Sequence, residues 1–139
     1  MIMDKYKVID HPSDMGIEAF GKDLKQLFEN SAFGMMDVMF DLSGTKEITL
    51  GEVFDVKVSA DNIESLLVAW LSELLYIVDS KKVALSIFQI SKLTDKELEA
   101  KVLGGKIIKF ITFIKAATYN QLEIKKEKGS WKSRVVFDV

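Results

Sequence analysis

The side chains of this 139-residue sequence that could do chemistry are mainly carboxylates and lysines. There is no cysteine and only one histidine, His11, which excludes thiolate zinc sites, iron–sulfur clusters, thiol nucleophiles, disulfides and multi-histidine metal cages. A metal bound by this chain would have to be held by oxygen atoms, the ligands that Ca²⁺ and Mg²⁺ prefer.

One group of polar residues occupies positions 10–16, which read Asp-His-Pro-Ser-Asp-Met-Gly. It contains His11, the only proline and two carboxylates, of which Asp14 is the last before an apolar stretch. Rigidly held loops often carry functional groups, but Asp and Ser beside Pro also form ordinary turns through side-chain hydrogen bonds to the backbone. The pattern alone favours a turn, in which His11 either orders the chain or serves as a base.

A second candidate site lies in the strand predicted for residues 131–139. Alternation places Trp131, Ser133, Val135, Phe137 and Val139 on one face and Lys132, Arg134, Val136 and Asp138 on the other. Aspartate is unfavourable in strands, so Asp138 calls for a partner, although a frayed end or simple solubility explains it almost as well. With a carboxylate at Val139 it would offer up to four oxygens, and one more acid would complete a Ca²⁺ site.

Charge and hydropathy exclude several classes of partner. Nineteen basic and twenty-one acidic residues give a net charge of -2, and Arg134 is the only arginine. Lysine is a point charge with little capacity for bidentate recognition of phosphate or guanine, so direct reading of RNA or DNA is not expected. The sequence shows no signal peptide and no run of about 18 apolar residues. We therefore expect no membrane span and place the protein in the cytoplasm.

The final predicted hairpin is locally basic. Its cations are Lys125, Lys126, Lys128, Lys132 and Arg134. A solvated face with lysines that protect the sheet edge is the favoured interpretation. An RNA platform is the alternative, but Trp131 and Phe137 share the other face of the strand and leave few aromatic side chains for base stacking.

Two amphipathic helices are predicted from apolar residues at three- and four-residue steps. The first covers residues 23–41, with Asp23 as its N-cap. The second covers residues 63–79, and the spacing of Asp61 and Glu64 before it resembles a capping box.

The remaining segments are short and rich in β-branched or aromatic residues, which predicts strands. The predicted strands cover residues 15–20, 47–58, 83–91, 97–103, 119–126 and 131–139. Turns are predicted at residues 93–96, 104–105 and 127–130, and the last of these closes an antiparallel hairpin. We predict one α+β domain over residues 1–139, in two layers, with two helices packed on a mostly antiparallel or mixed sheet.

Three segments together resemble the archease family, the protein cofactor of the RtcB-type RNA ligase. Residues 10–17, DHPSDMGI, are similar to the family signature D-H-T-A-D-(I/V)-G. Residues 115–120, KAATYN, are similar to K-A-(A/I)-T-Y-H, and residues 135–139, VVFDV, to the family's ending in Asp and one aliphatic residue. The stretch 59–79 resembles the family's long helix, so the resemblance covers essentially the whole chain.

The resemblance implies a cation site, usually assigned to Ca²⁺, at one end of the fold. The corresponding positions are Asp14, Asp138 and Val139. It also implies a functional role for Lys115, while His11 would support the residues around Asp14. Asn120 stands where the family usually has histidine, so no imidazole is available there.

The function implied by the resemblance is activation of the ligase, without catalysis by this chain. An archease promotes guanylylation of the ligase by GTP and its repeated turnover in tRNA splicing and RNA repair, and meets RNA only indirectly through the ligase. Two alternatives remain open. One is a Ca²⁺-dependent hydrolase with Asp14 or His11 as base, and the other is a chaperone-like or RNA-binding module that uses the basic hairpin.

Overall fold

The structure is a computed structural model that describes residues 4–10, 15–42, 51–106 and 109–139. Its elements, in chain order, are β1 (Tyr6–Asp10), β2 (Met15–Gly21), α1 (Leu24–Phe40), β3 (Glu52–Ser59), α2 (Ile63–Lys81), β4 (Val83–Leu93), β5 (Glu97–Lys106), β6 (Ala116–Ala117), β7 (Glu123–Glu127) and β8 (Ser130–Asp138). This arrangement of helices and antiparallel strands confirms the predicted α+β class. The described parts of the chain contain no helix that is both long and apolar enough to cross a membrane.

The described strands form two antiparallel sheets. In the larger sheet β8 is central, with β2 on one side, β6 and β7 on the other, and β1 at the edge beside β2. The smaller sheet has the order β3-β5-β4. Alternation in the sequence predicts a strand but not the sheet that it joins, since that choice depends on contacts between distant segments.

The first helix begins where the sequence predicts. The side chain of Asp23 accepts a hydrogen bond from the backbone N of Gln26 at 2.8 Å. At the other end Asp41 adopts a left-handed conformation with φ of 54°, and its N–H donates to the carbonyl of Asp37. Asp23 and Asp41 thus fix both ends of α1.

The predicted capping residue of the second helix was wrong. Asn62, not Asp61, is the N-cap, because its side chain accepts from the backbone N of Ser65 at 2.8 Å. Asp61 lies one residue too early for that contact. The helix also extends two residues beyond the predicted end, to Lys81, and stops where Lys82 adopts a φ of 58°.

The core lies between the two helices and the inner faces of the sheets. The indole N–H of Trp70 donates to the carbonyl of Phe28 at 3.0 Å, which joins α2 to α1. The largest fully buried side chains include Trp70, Phe28, Phe137, Ile17, Met35, Met36 and Leu71. Because β2 and β8 both contribute to this core, their pairing is fixed by packing as well as by hydrogen bonds.

The turn predicted at residues 104–105 was wrong, since both lie within β5. A Cβ at Gly104 would lie 2.2 Å from the carbonyl oxygen of Ala84, so glycine here permits close approach of β4 rather than a change of direction. The turn predicted at 93–96 is confirmed, with the N–H of Thr94 donating to the carbonyl of Glu97 at 2.9 Å.

Several strand boundaries differ from the prediction. The segment predicted as a strand from residue 119 begins only at Glu123, because Gln121 takes a φ of 55° and Leu122 N donates to Tyr119 O at 3.2 Å, forming a turn. Of the predicted strand 47–58, residues 52–58 belong to β3, Gly51 precedes it, and residues 47–50 lie outside the described chain. The strands β1 and β6 were not predicted.

Candidate functional site

The C-terminal end of β8 lies between two segments that the sequence singled out. On one side Met15, the first residue of β2, is the register partner of Phe137. On the other side Ala116 pairs with Asp138 and Ala117 with Phe137. The start of β2, the short strand β6 and the end of β8 therefore meet at one end of the larger sheet, which we call the tip.

Asp138 is exposed at the tip, while its neighbour Phe137 is fully buried in the core. The buried side chains of Val135 and Phe137 fit the predicted alternation, but Val136, on the face of Asp138, is buried as well. The carbonyl of Asp138 accepts a hydrogen bond from the backbone N of Lys115 at 2.8 Å. The end of β8 is thus tied into the sheet, and a frayed strand end does not describe Asp138.

The segment 115–120 holds the end of β8 by more than one bond. Both the backbone N and the hydroxyl of Thr118 donate to the carbonyl of Val136, at 3.0 and 2.8 Å. The side chain of Lys115 is exposed, and no carboxylate of the described residues lies within ion-pair distance of it. Asn120 is also exposed and contributes its backbone N–H to the hydroxyl of Thr118 at 3.3 Å.

Gly16 lets β2 lie close to β8 just inside the tip. A Cβ at this position would lie 2.8 Å from the carbonyl oxygen of Val135, closer than real Cβ atoms come to backbone. Its register partner is Val136. Gly16, the glycine of the DHPSDMGI segment, therefore permits the close approach of β2 to β8.

His11 and Asp14 fall outside the described residues, so the predictions made for them stay predictions. In the sequence Asp14 directly precedes Met15, the register partner of Phe137. Among the described residues, no three His, Asp or Glu side chains form a group that could hold a metal. Asp138 and Val139 are the two candidate ligands within the described chain, and their donors are oxygen atoms of the kind that Ca²⁺ accepts.

A buried carboxylate that sequence reasoning missed lies in the same sheet. Glu18 is 6% exposed, and three cations surround it: Lys7 Nζ at 3.2 Å, Arg134 Nη2 at 3.2 Å and Lys132 Nζ at 3.4 Å. Burial acts to raise the pKa of Glu18, but the hydrogen bonds from Lys7 and Arg134 and the nearby Lys132 outweigh it, so the pKa lies below its ordinary value. A charged residue inside the apolar stretch 15–21 was the signal that could have revealed it.

Glu18 connects three strands of the larger sheet. It lies on β2, and its register partners are Lys7 on β1 and Arg134 on β8. The ion pairs of Glu18 with Lys7 and Arg134 therefore join residues that lie directly opposite each other on adjacent strands. They support the same β2–β8 register that brings Met15 to Phe137 at the tip.

Three cations of the final hairpin lie within ion-pair distance of carboxylates. Lys125 lies 3.2 Å from Glu123 and 2.8 Å from Glu127, and Lys132 and Arg134 both contact Glu18. Paired charges of this kind offer little attraction to a phosphate backbone. Part of the positive charge of the hairpin is thus offset by Glu18, Glu123 and Glu127.

A groove of about 410 Å³ lies between the C-terminal half of α2 and residues 113–116. Its lining includes Ser72, Leu75, Tyr76, Phe113, Ile114 and Lys115. Lys115 therefore belongs both to the tip, through its backbone, and to the groove, through its place in the lining.

Comparison with known proteins gives consistent matches along the chain. Residues 6–139 match the model of the Archease protein family. The protein archease of Methanosarcina barkeri is 37% identical over 143 residues, which span 97% of this chain and 96% of that protein.

Two solved structures share the fold. The solution structure of protein 1598 of Methanobacterium thermoautotrophicum superposes with a TM-score of 0.80 at 31% identity, over 99% of this chain and 100% of that one. The crystal structure of an archease of Thermotoga maritima, described as a possible chaperone, gives a TM-score of 0.65 at 24% identity, over 96% of each chain.

Proposed function

The chain belongs to the archease family, and on that basis we propose that it activates an RtcB-type RNA ligase as a non-catalytic protein cofactor. Its role is to promote guanylylation of the ligase by GTP, so that the ligase turns over repeatedly in tRNA splicing and RNA repair in the cytoplasm. RNA reaches the complex through the ligase. The paired charges on the final hairpin favour this over direct RNA binding by the chain.

The observation that carries the proposal is the meeting of β2, β6 and β8 at the tip. The segments that resemble the three archease motifs begin at residues 10, 115 and 135, yet the strands that contain or follow them are hydrogen-bonded neighbours. Similarity of sequence alone would not require these three segments to lie next to each other. The arrangement supports a shared role for Asp14, Lys115 and Asp138.

We propose that Asp14, Asp138 and Val139 hold Ca²⁺ or another divalent cation. Support comes from the exposed position of Asp138, from the anchoring of β8 by the Lys115 amide, and from the place of Met15 opposite Phe137. A divalent cation bound there would neutralise negative charge and help orient the triphosphate of GTP in the ligase. His11 would support the segment that carries Asp14.

Lys115 would bind a phosphate or a carboxylate of the ligase. Its side chain is exposed, while its backbone N–H is committed to Asp138. The backbone is thus fixed and the ammonium group is available to a partner, which suits a contact at an interface.

The proposal is tested by RNA ligation with the cognate ligase at substrate in excess over enzyme. With this protein present we expect several products per ligase molecule, and without it about one or fewer, since each further cycle needs a new guanylylation. The chain alone should join no RNA. An unchanged product yield on addition of the protein would refute the proposed function.

A further inference from the structure

The groove between α2 and residues 113–116 has the shape and chemistry of a docking site. Its volume, about 410 Å³, falls in the range of sites that accept a small ligand or a few side chains. Leu75 and Ile114 supply buried apolar surface at its walls. The groove can therefore accept one or two apolar side chains from a partner.

The rim of the groove is unusually apolar for a surface. Both aromatic side chains of the lining are exposed, Tyr76 to 64% and Phe113 to 51%. Contiguous exposed apolar side chains are typical of interaction surfaces. Large aromatic side chains are also those that most often dominate binding energy at interfaces.

The rim is held in place before any partner arrives. The backbone N of Ile111 donates to the carbonyl of Met39 at 2.7 Å, which fastens the segment to the end of α1. The ring of Phe110 packs on Phe40 at 4.9 Å and on Phe113 at 5.7 Å between centroids. A preformed rim lowers the entropy lost on binding.

The charges at the groove indicate what kind of segment fits. Asp79, which lines it, is paired with Lys82 at 3.7 Å, whereas Lys115 has no carboxylate within ion-pair distance among the described residues. The ammonium group of Lys115 is thus the cation in the described lining that a carboxylate of a partner could pair with. The groove is also continuous with the tip, because the backbone of Lys115 is bonded to Asp138.

We propose that this groove docks a segment of the partner ligase that presents an apolar side chain next to a carboxylate. The apolar side chain enters between α2 and residues 113–116, and the carboxylate pairs with Lys115. The inference rests on the proposed function and assigns separate roles to the groove and the tip. The groove supplies affinity for the ligase, and the tip supplies the stimulation of guanylylation.

A substitution at Ser72 can test the docking site by filling the groove, without removing a contact. It is exposed and lines the groove, so Ser72→Phe would fill the space from α2. Ser80→Phe is the matched control, because it makes the same change at an exposed position of the same helix outside the groove lining. The probe is the purified RtcB-type RNA ligase of the same organism, with the dissociation constant measured by calorimetry.

We expect Ser72→Phe to weaken binding about tenfold or more, as for a blocked hot spot, and Ser80→Phe to change it less than about twofold. Guanylylation should recover when Ser72→Phe is supplied in excess of its weakened dissociation constant. Asp138→Asn should bind the ligase with nearly unchanged affinity but fail to stimulate it at any concentration. Should Ser72→Phe disturb folding, Phe113→Ser provides a second variant at a half-exposed position, with the same expected loss of affinity.

Two outcomes would overturn the inference while leaving the proposed function intact. One is ligase affinity that is unchanged in both Ser72→Phe and Phe113→Ser. The other is a wild-type dimer that these variants convert to monomer without loss of ligase affinity, which would assign the groove to a second copy of this chain. Failure of the wild-type protein to bind or stimulate the ligase would instead refute the proposed function, and this inference with it.

Discussion

Replacing the buried carboxylate of Glu18 by an amide should destabilise the protein substantially. Glu18→Gln keeps the shape of the side chain but removes the charge that three cations surround. Lys7, Lys132 and Arg134 would then lie beside a neutral group in a sheet where they are close together. The strands that they occupy, β1 and β8, flank the strand that leads to the tip.

The magnitude depends on how well each cation can be solvated. The side chain of Lys7 is 63% exposed, so its pair should contribute only about 0–1 kcal/mol. Those of Arg134 and Lys132 are 35% and 22% exposed. A hydrogen bond to a charged group contributes about 1.5–3 kcal/mol, but the glutamine amide keeps an acceptor oxygen, so the two contacts together should lose only about 2 kcal/mol. We expect Glu18→Gln to lower the free energy of unfolding by about 2–3 kcal/mol, which is less than the loss of a fully buried pair.

The assay is urea unfolding and thermal melting followed by circular dichroism at pH 7. For a chain of this length the expected loss corresponds to a decrease in Tm of about 7–10 °C. The matched control is Glu97→Gln, which removes a shorter ion pair, 2.8 Å to Lys92, between two half-exposed side chains. If Glu18→Gln lowers Tm no more than Glu97→Gln does, the reasoning from burial is wrong.

Wild type and Glu18→Gln should differ less in stability at acid pH. Because the pKa of Glu18 in the folded protein lies below its ordinary value of 4.5, the ionised carboxylate stabilises the fold above about pH 4.5. That contribution is lost as the pH falls through the folded pKa. The difference in stability between wild type and Glu18→Gln should therefore be constant near neutral pH and shrink below pH 4.5.

Two further predictions concern local structure, and both are measured by urea unfolding. Asn62→Ala should cost about 1 kcal/mol through loss of the α2 cap, and Asp61→Ala clearly less; the reverse order would contradict the assignment of the cap. Gly16→Ala should cost about 1–3 kcal/mol, because its Cβ would lie 2.8 Å from the carbonyl of Val135, whereas a Cβ at Gly51 would meet nothing within 4 Å. Equal stability of Gly16→Ala and Gly51→Ala would refute the close approach.

The features that the sequence predicted are those that local periodicity determines. Both helices follow from apolar residues at helical spacing, and the start of α1 follows from Asp23. In β8, alternation accounts for the burial of Val135 and Phe137 and the exposure of Asp138, although not for the burial of Val136. These properties need no knowledge of a partner strand.

The features that the sequence missed depend on contacts between distant segments. Nothing local distinguishes Gly104 within a strand from a glycine in a turn, since the reason for it is the carbonyl of Ala84 on a neighbouring strand. The strand β6 has only two residues and exists because β8 lies beside it. Glu18 likewise has meaning only once Lys7 and Arg134 are placed around it.

The sequence likewise predicted only part of the candidate site. The sequence resemblance named Asp14, Lys115, Asp138 and Val139. It did not predict that the backbone N–H of Lys115 donates a hydrogen bond to the carbonyl of Asp138, the last residue of β8. That bond depends on the pairing of β6 with β8, more than a dozen residues away along the chain. The groove beside it was not predicted at all, because its walls come from α2 and from residues 113–116.

The most direct test of the proposed function is guanylylation of the ligase with labelled GTP. Wild-type protein should raise the amount of guanylylated ligase, while Asp14→Ala and Asp138→Ala, shown to be folded by circular dichroism, should fail to do so. Full stimulation by both variants would contradict the claim that carboxylates at the tip activate the ligase.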